Sequence, residues 1–172
     1  VAAGAALIVT GRNGAGKSSL LRMVAGLIGV AGGKLSLVGG DPERSIGEQA
    51  HYLGHSDALK SSLTVRENLA FWVKWLGGSG DPMPALGTVG IETLADLPAA
   101  YLSAGQKRRL SIARLIAAER PLWLLDEPTS ALDNASQEML RDLMKSHLQR
   151  GGILLAATHL PLGLDGAHEL KL

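Results

Sequence analysis

The sequence predicts an α/β fold with a mainly parallel sheet and an inserted helical lobe. Three observations point there: short apolar runs bounded by turn residues, helical patterns between them, and a glycine-rich loop set directly between the first run and the first helix. The apolar runs cover residues 5–10, 34–38, 122–125 and 153–158. They lack strict alternation, as strands buried on both faces do in a parallel sheet covered by helices.

The first helical pattern covers 17–27, with Leu20, Leu21, Val24 and Leu27 at helical spacing. Thr64-Val65-Arg66-Glu67 forms a capping box that opens a helix running to Trp75 and Leu76, stopped by Gly77-Gly78. Asn134 is positioned to cap a third helix, with Gln137 three residues on. That helix gathers Met139, Leu140, Leu143, Met144 and Leu148 on one face and ends near Gly151. Residues 77–90 are rich in turn formers and read as a flexible loop. The sheet-forming runs fall outside the middle of the chain. The expected organisation is one domain, with a core of 1–59 and 116–172 and a helical lobe of about 60–115. Because the first strand begins almost at residue 1, strands that would precede it are expected to be lacking.

Composition narrows the function. The 172 residues carry 17 Lys+Arg against 16 Asp+Glu, interspersed rather than blocked, so no electrostatic nucleic-acid surface is indicated. The absence of cysteine excludes a disulfide framework, a thiolate metal site and cysteine nucleophile chemistry. The longest uncharged stretch, 151–164, includes His159 and Pro161 and falls short of the roughly 18 apolar residues a membrane span needs. No basic leader segment opens the chain.

Gly11-Arg12-Asn13-Gly14-Ala15-Gly16-Lys17-Ser18 matches G-x-x-x-x-G-K-[ST], after a strand and before a helix, which is the context the motif requires. The glycines let backbone N–H groups turn inward, and the helix aims its positive end at the same point. Lys17 supplies a point charge for the β- and γ-phosphates, Ser18 a hydroxyl suited to Mg²⁺, and Ser19 a further first-turn amide. The chemistry implied is that of a nucleoside triphosphate site. Residues 121–127 read as an apolar strand ending in Asp126 and Glu127, at the strand end that lines the ligand crevice of a parallel sheet. Asp126 is suited to Mg²⁺, and Glu127 to orienting a water in line with the γ-phosphate.

Leu102-Ser103-Ala104-Gly105-Gln106 closely resembles the LSGGQ signature of ABC-type ATPases, with Ala104 in place of the first glycine. Residues 124–133 resemble the Walker B segment running into the D-loop, and Ala157-Thr158-His159 resembles the switch-histidine segment. The resemblance covers nearly the whole chain. It implies a P-loop NTPase (RecA-like) core of ABC ATPase type, with ATP and Mg²⁺ as ligands and His159 on the γ-phosphate. It further implies that Ser103, Gly105 and Gln106 complete the site of a second ATPase subunit in a head-to-tail homodimer, and that Asp133 couples the halves. Arg108, Arg109 and Arg114, which follow the signature, read as a solvated basic helix face.

Two positions depart from the family pattern. The glutamine usual after the second core strand is replaced here by His55, with Gln49 lying before that strand, so His55 is expected to take the linking role. Residues 1–10 hold no aromatic side chain on which adenine would stack, so weakened ATP binding is expected. Residues 51–60, 63–72 and the alanine-bearing signature are similar to the ATP-binding subunit of the haem exporters of bacterial cytochrome c biogenesis. That similarity implies a peripheral protein on the cytoplasmic face of the inner membrane. Its partners would be integral membrane transporter subunits and, indirectly, haem-handling proteins, with no nucleic acid. The competing expectations are the ATPase subunit of another small ABC exporter, a soluble ABC ATPase, and a module that binds nucleotide without hydrolysis. The last is disfavoured by the presence of Glu127.

Overall fold

The computed structural model describes residues 1–172. The elements are β1 (Ala6–Thr10), α1 (Lys17–Val24), β2 (Ala50–Leu53), α2 (Val65–Trp75), α3 (Met83–Thr88), α4 (Ala104–Ala117), β3 (Leu122–Asp126), α5 (Asn134–Gln149), β4 (Ile153–Ala157) and β5 (His168–Lys171). The chain forms two compact units. One comprises Val1–His55, Arg120–Pro128 and Arg141–Leu172, the other Ser56–Glu119 and Thr129–Leu140.

The first unit holds a five-stranded sheet in the order β2-β3-β4-β1-β5. Every pairing is parallel. Leu53 lies opposite Leu125, Asp126 opposite Ala157, and Val9 opposite Ala157, so these strands release the chain at one edge of the sheet. Val9, Leu21, Leu122, Leu124 and Ala157 form a continuous core. Helix α1 packs on β3 and β4 and contributes Leu21, whose burial stabilises the fold by about 1.5–3 kcal/mol. In the same unit the His147 ring stacks on Trp123 at 4.1 Å, and a Cβ at Gly152 would run into that imidazole.

Two expectations for this unit are corrected, and one strand was not foreseen. Residues 34–38 form no strand: a strand exists through its ladder, no neighbour pairs with this run, and Val38 is 92% exposed. Helix α1 stops at Val24 instead of Leu27, because Gly26 turns left-handed (φ +73°) and Leu27 N–H donates back to the Arg22 carbonyl at 2.8 Å. Strand β5 has the sequence HELK and is exposed throughout, so an apolar pattern could not reveal it. It is held at the sheet edge by its ladder with β1 and by Thr10 Oγ1 donating to Glu169 Oε1 at 2.7 Å.

In the second unit α2 and α3 pack against α4 around Leu69, Val73, Leu86, Ile91, Leu110 and Ile112. The expected capping box is present: Thr64 Oγ1 accepts from Glu67 N–H at 3.1 Å, and Glu67 Oε2 accepts from Thr64 N–H at 2.8 Å. The segment 77–90 contains helix α3, whose Ala85 and Leu86 are buried. Its glycine and proline content masked an element that tertiary burial stabilises. Asp133 caps α5 in place of Asn134, its Oδ1 accepting from Ser136 N–H at 2.8 Å.

The three arginines are not a solvated face. Arg108 and Arg114 are 3% and 6% exposed. Arg109 donates to the carbonyls of Val89 and Gly90 at the end of α3. A helix packed on two neighbours has little face left for solvent, and partners within the unit receive these cations.

Candidate active site

Residues 11–16 connect β1 to α1, and Lys17 is the first residue of that helix. Ala15 N–H donates to the Arg12 carbonyl at 3.1 Å, closing the turn. Gly16 then enters the helix at φ +104°, a torsion that glycine alone tolerates easily. No side chain caps α1, so its first-turn N–H groups are left to a ligand or solvent. Arg12, Asn13, Gly14, Ala15 and Ser19 are exposed around this turn, while Gly11 and Gly16 are half-buried. Lys17 is 8% exposed, and its ammonium donates to the carbonyls of Gly11 at 2.8 Å and Arg12 at 3.3 Å. The third contact is His159 Nε2 at 3.1 Å.

Beside the loop, Ser18 Oγ donates to Asp126 Oδ1 at 3.0 Å. Asp126 is the last residue of β3 and is 4% exposed. Glu127 follows with φ +45°, a left-handed torsion unusual for a residue with a side chain. Its N–H donates to the Ala157 carbonyl at 2.8 Å, which keeps it against the end of β4. Its Oε1 lies 3.7 Å from His159 Nε2. Buried Thr158 fixes where His159 projects, with its N–H on the Val9 carbonyl and its Oγ1 accepting from Leu160 N–H at 3.0 Å. Lys17, His159 and Glu127 thus form one chain of contacts and Ser18 with Asp126 another, all at the carboxyl ends of β1, β3 and β4.

His55 lies two residues beyond the end of β2 and is exposed. Gln49 is buried and cannot substitute: its side chain accepts from Asp41 N–H at 2.6 Å and donates to the Asp41, Arg44 and Ser45 carbonyls. Arg22 is a neighbour the sequence reading missed. The Tyr52 hydroxyl, accepting from its Nε at 3.3 Å, raises its pKa, and the charge of Asp126 adds a smaller push. The signal was present, because Arg22 follows Ser18 by one helical turn and shares its face.

In the second unit the signature segment opens α4. Ser103 Oγ accepts from Gln106 N–H at 3.2 Å, while Gln106 Oε1 accepts from Ser103 N–H at 2.8 Å. The Gln106 side chain is therefore engaged in capping. Ser103 and Ala104 are exposed, and a Cβ at Gly105 would lie 3.0 Å from the Ala131 carbonyl oxygen.

The family model described as ABC transporter matches residues 1–130. The chain belongs to the ABC transporter family. It is an ATP-binding ABC subunit with ATPase activity, and its parallel sheet and glycine-rich loop are those of a P-loop NTPase. It is 61% identical over 171 residues to the cytochrome c biogenesis ATP-binding export protein CcmA of Nitrobacter winogradskyi, covering 98% of this chain and 84% of that protein. The CcmA of Bradyrhizobium diazoefficiens is 57% identical over 170 residues, with the same coverage of 98% and 84%. Among solved structures, an ATP-binding subunit of an ABC transporter superposes with a TM-score of 0.82 at 28% identity, covering 93% of this chain and 70% of that one. No helix here is long and apolar enough to cross a membrane.

Proposed function

We propose that this chain is the ATP-hydrolysing subunit of an ABC exporter of cytochrome c biogenesis, and that Lys17, Ser18, Asp126, Glu127 and His159 are its catalytic apparatus. The observation that carries the assignment of roles is the contact chain from Lys17 through His159 to Glu127, beside the Ser18–Asp126 pair. Lys17 and the amides of residues 11–19 hold the triphosphate. Glu127 accepts a proton from the attacking water, and His159 contacts the γ-phosphate. A hydroxyl and a carboxylate oxygen 3.0 Å apart are hard donors that suit Mg²⁺, and Ser18 and Asp126 would hold it. When bound, that cation neutralises charge that develops on the phosphate oxygens.

A second copy of the chain supplies Ser103 and the N–H groups of Gly105 and Gln106 to the γ-phosphate, giving a head-to-tail homodimer. His55 links the nucleotide to the helical lobe of about 60–115. The further partners are integral membrane transporter subunits, with haem-handling proteins reached through them. The place of action is the cytoplasmic face of the bacterial inner membrane. The name shared by relatives at 61% and 57% identity, cytochrome c biogenesis ATP-binding export protein, supports the placement in cytochrome c biogenesis.

Glu127→Gln tests the assignment. The variant keeps ATP binding and accumulates ATP-bound dimers, while turnover falls by about 10²–10⁴-fold. Normal turnover removes Glu127 from the water-activating role. Loss of c-type cytochromes on deleting the gene tests the cargo.

A further inference from the structure

Helix α4 begins at the Ser103 turn, and its next two turns carry side chains that reach residues 57–60 of the same unit. Arg108 Nη1 lies 3.4 Å from Asp57 Oδ1, and Ser111 Oγ donates to the Asp57 carbonyl at 2.8 Å. Arg114 lays its guanidinium 4.4 Å from the centre of the Trp72 ring, and Trp72 Nε1 donates to the Ala58 carbonyl at 3.3 Å. The Asn68 amide both accepts from Lys60 N–H and donates to its carbonyl, at 2.8 and 3.0 Å. Within this short segment Asp57 engages α4 twice, by carboxylate and by backbone. Its carboxylate contacts one buried guanidinium, that of Arg108, and its charge acts on a second, that of Arg114. Burial pushes Arg114 down to about 10, the Asp57 charge opposes that push, and the Arg108 charge reinforces it.

A buried ion pair contributes little net stability compared with apolar side chains of similar volume. Its value lies in direction, since Arg108 meets Asp57 in one orientation of the helix. We propose that Asp57 and Arg108 are positioning residues: their pairing fixes the orientation of α4 and so the direction in which the Ser103 turn presents its N–H groups. The proposal rests on the reading that this turn completes the nucleotide site of a second copy. The pair acts through the helix.

The test uses the chain co-expressed and assembled with its membrane partners. Asp57→Asn removes the carboxylate that faces the buried Arg108 guanidinium and lowers the thermal midpoint. The double variant Asp57→Asn with Arg108→Met removes the charge of both members of the pair and regains most of that midpoint, since Arg114 loses the attraction of Asp57 and the repulsion of Arg108 together. A positioning role predicts that turnover of the double variant stays roughly tenfold below the parent. ATP affinity of the subunit, set by residues 11–19, stays within about twofold. A turnover that recovers together with the midpoint overturns the proposal, and so does loss of ATP affinity in step with turnover. Ser103→Ala is measured alongside. If it turns over normally, the reading of the signature turn fails; if it is slow while the double variant is normal, only the positioning link fails.

Discussion

The Lys17 ammonium lies 3.1 Å from His159 Nε2. The same ring nitrogen lies 3.7 Å from Glu127 Oε1, so one imidazole atom faces both the cation and the carboxylate. With the Gly11 and Arg12 carbonyls, His159 makes three partners around the ammonium. Lys17 therefore has all of these partners within its own unit, while residues 12–15 of the loop stay exposed.

His159→Ala therefore leaves Lys17 with its two carbonyl partners and an accessible loop. ATP affinity changes by a few-fold at most, while turnover falls by about 10²-fold, the usual loss when one group facing developing charge is removed. Steady-state kcat and direct nucleotide binding, measured separately, check the split.

The Ser18–Asp126 pair makes a claim about metal dependence. Chelation of divalent cations weakens ATP binding by the parent protein and stops its turnover. In Asp126→Asn the Mg²⁺ concentration needed for tight ATP binding rises at least tenfold. Titrating Mg²⁺ while following nucleotide binding reads this without relying on hydrolysis.

Asp133 caps α5 through the Ser136 N–H, and the Ser136 hydroxyl together with that N–H holds its carboxyl below the usual carboxylate range. A depressed carboxylate stabilises the fold above its unfolded pKa and loses that contribution as pH falls through the folded value. Asp133→Ala lowers the denaturation midpoint at neutral pH, whereas Asp133→Asn, which still caps, stays close to the parent. The advantage of the parent over the Asn variant shrinks as pH falls from about 5 to 3. Urea unfolding at several pH values checks both.

Gly152 lies against the ring of His147, which is itself stacked on Trp123 and buried. The ring is held on its other sides by the Trp123 stack and by a contact of Nε2 with the Ile153 carbonyl at 3.2 Å. Gly152→Ala costs about 1–3 kcal/mol of stability, the range for overpacking a closed core. ATP binding by the folded fraction is unaffected, because the contact lies apart from residues 11–19. Equilibrium unfolding and nucleotide titration together separate the two effects.

Much of the site was legible because its chemistry is local. Loop, cation and hydroxyl occupy the consecutive residues 11–18, and the two carboxylates sit at the end of a uniformly apolar strand. Sequence read the parallel sheet correctly wherever apolar runs found neighbours. It failed at residues 34–38, where the pattern existed and the partner did not, and at β5, where the partner existed and the pattern did not. The arginines of α4 were misread for a related reason. A basic residue is read as solvated by its own chemistry, and only the fold reveals Asp57 and Trp72 beside Arg108 and Arg114. Helix α3 was hidden because its stability comes from Leu86 being buried, not from propensity.

The left-handed peptide at Glu127 sets durability against output. A side chain held there costs about 1–2 kcal/mol that glycine would not incur. Relaxing that torsion with glycine would harden the protein and silence it in the same stroke, since the carboxylate beside His159 would be gone. Engineering for heat resistance would thus be drawn to the very position it must leave alone.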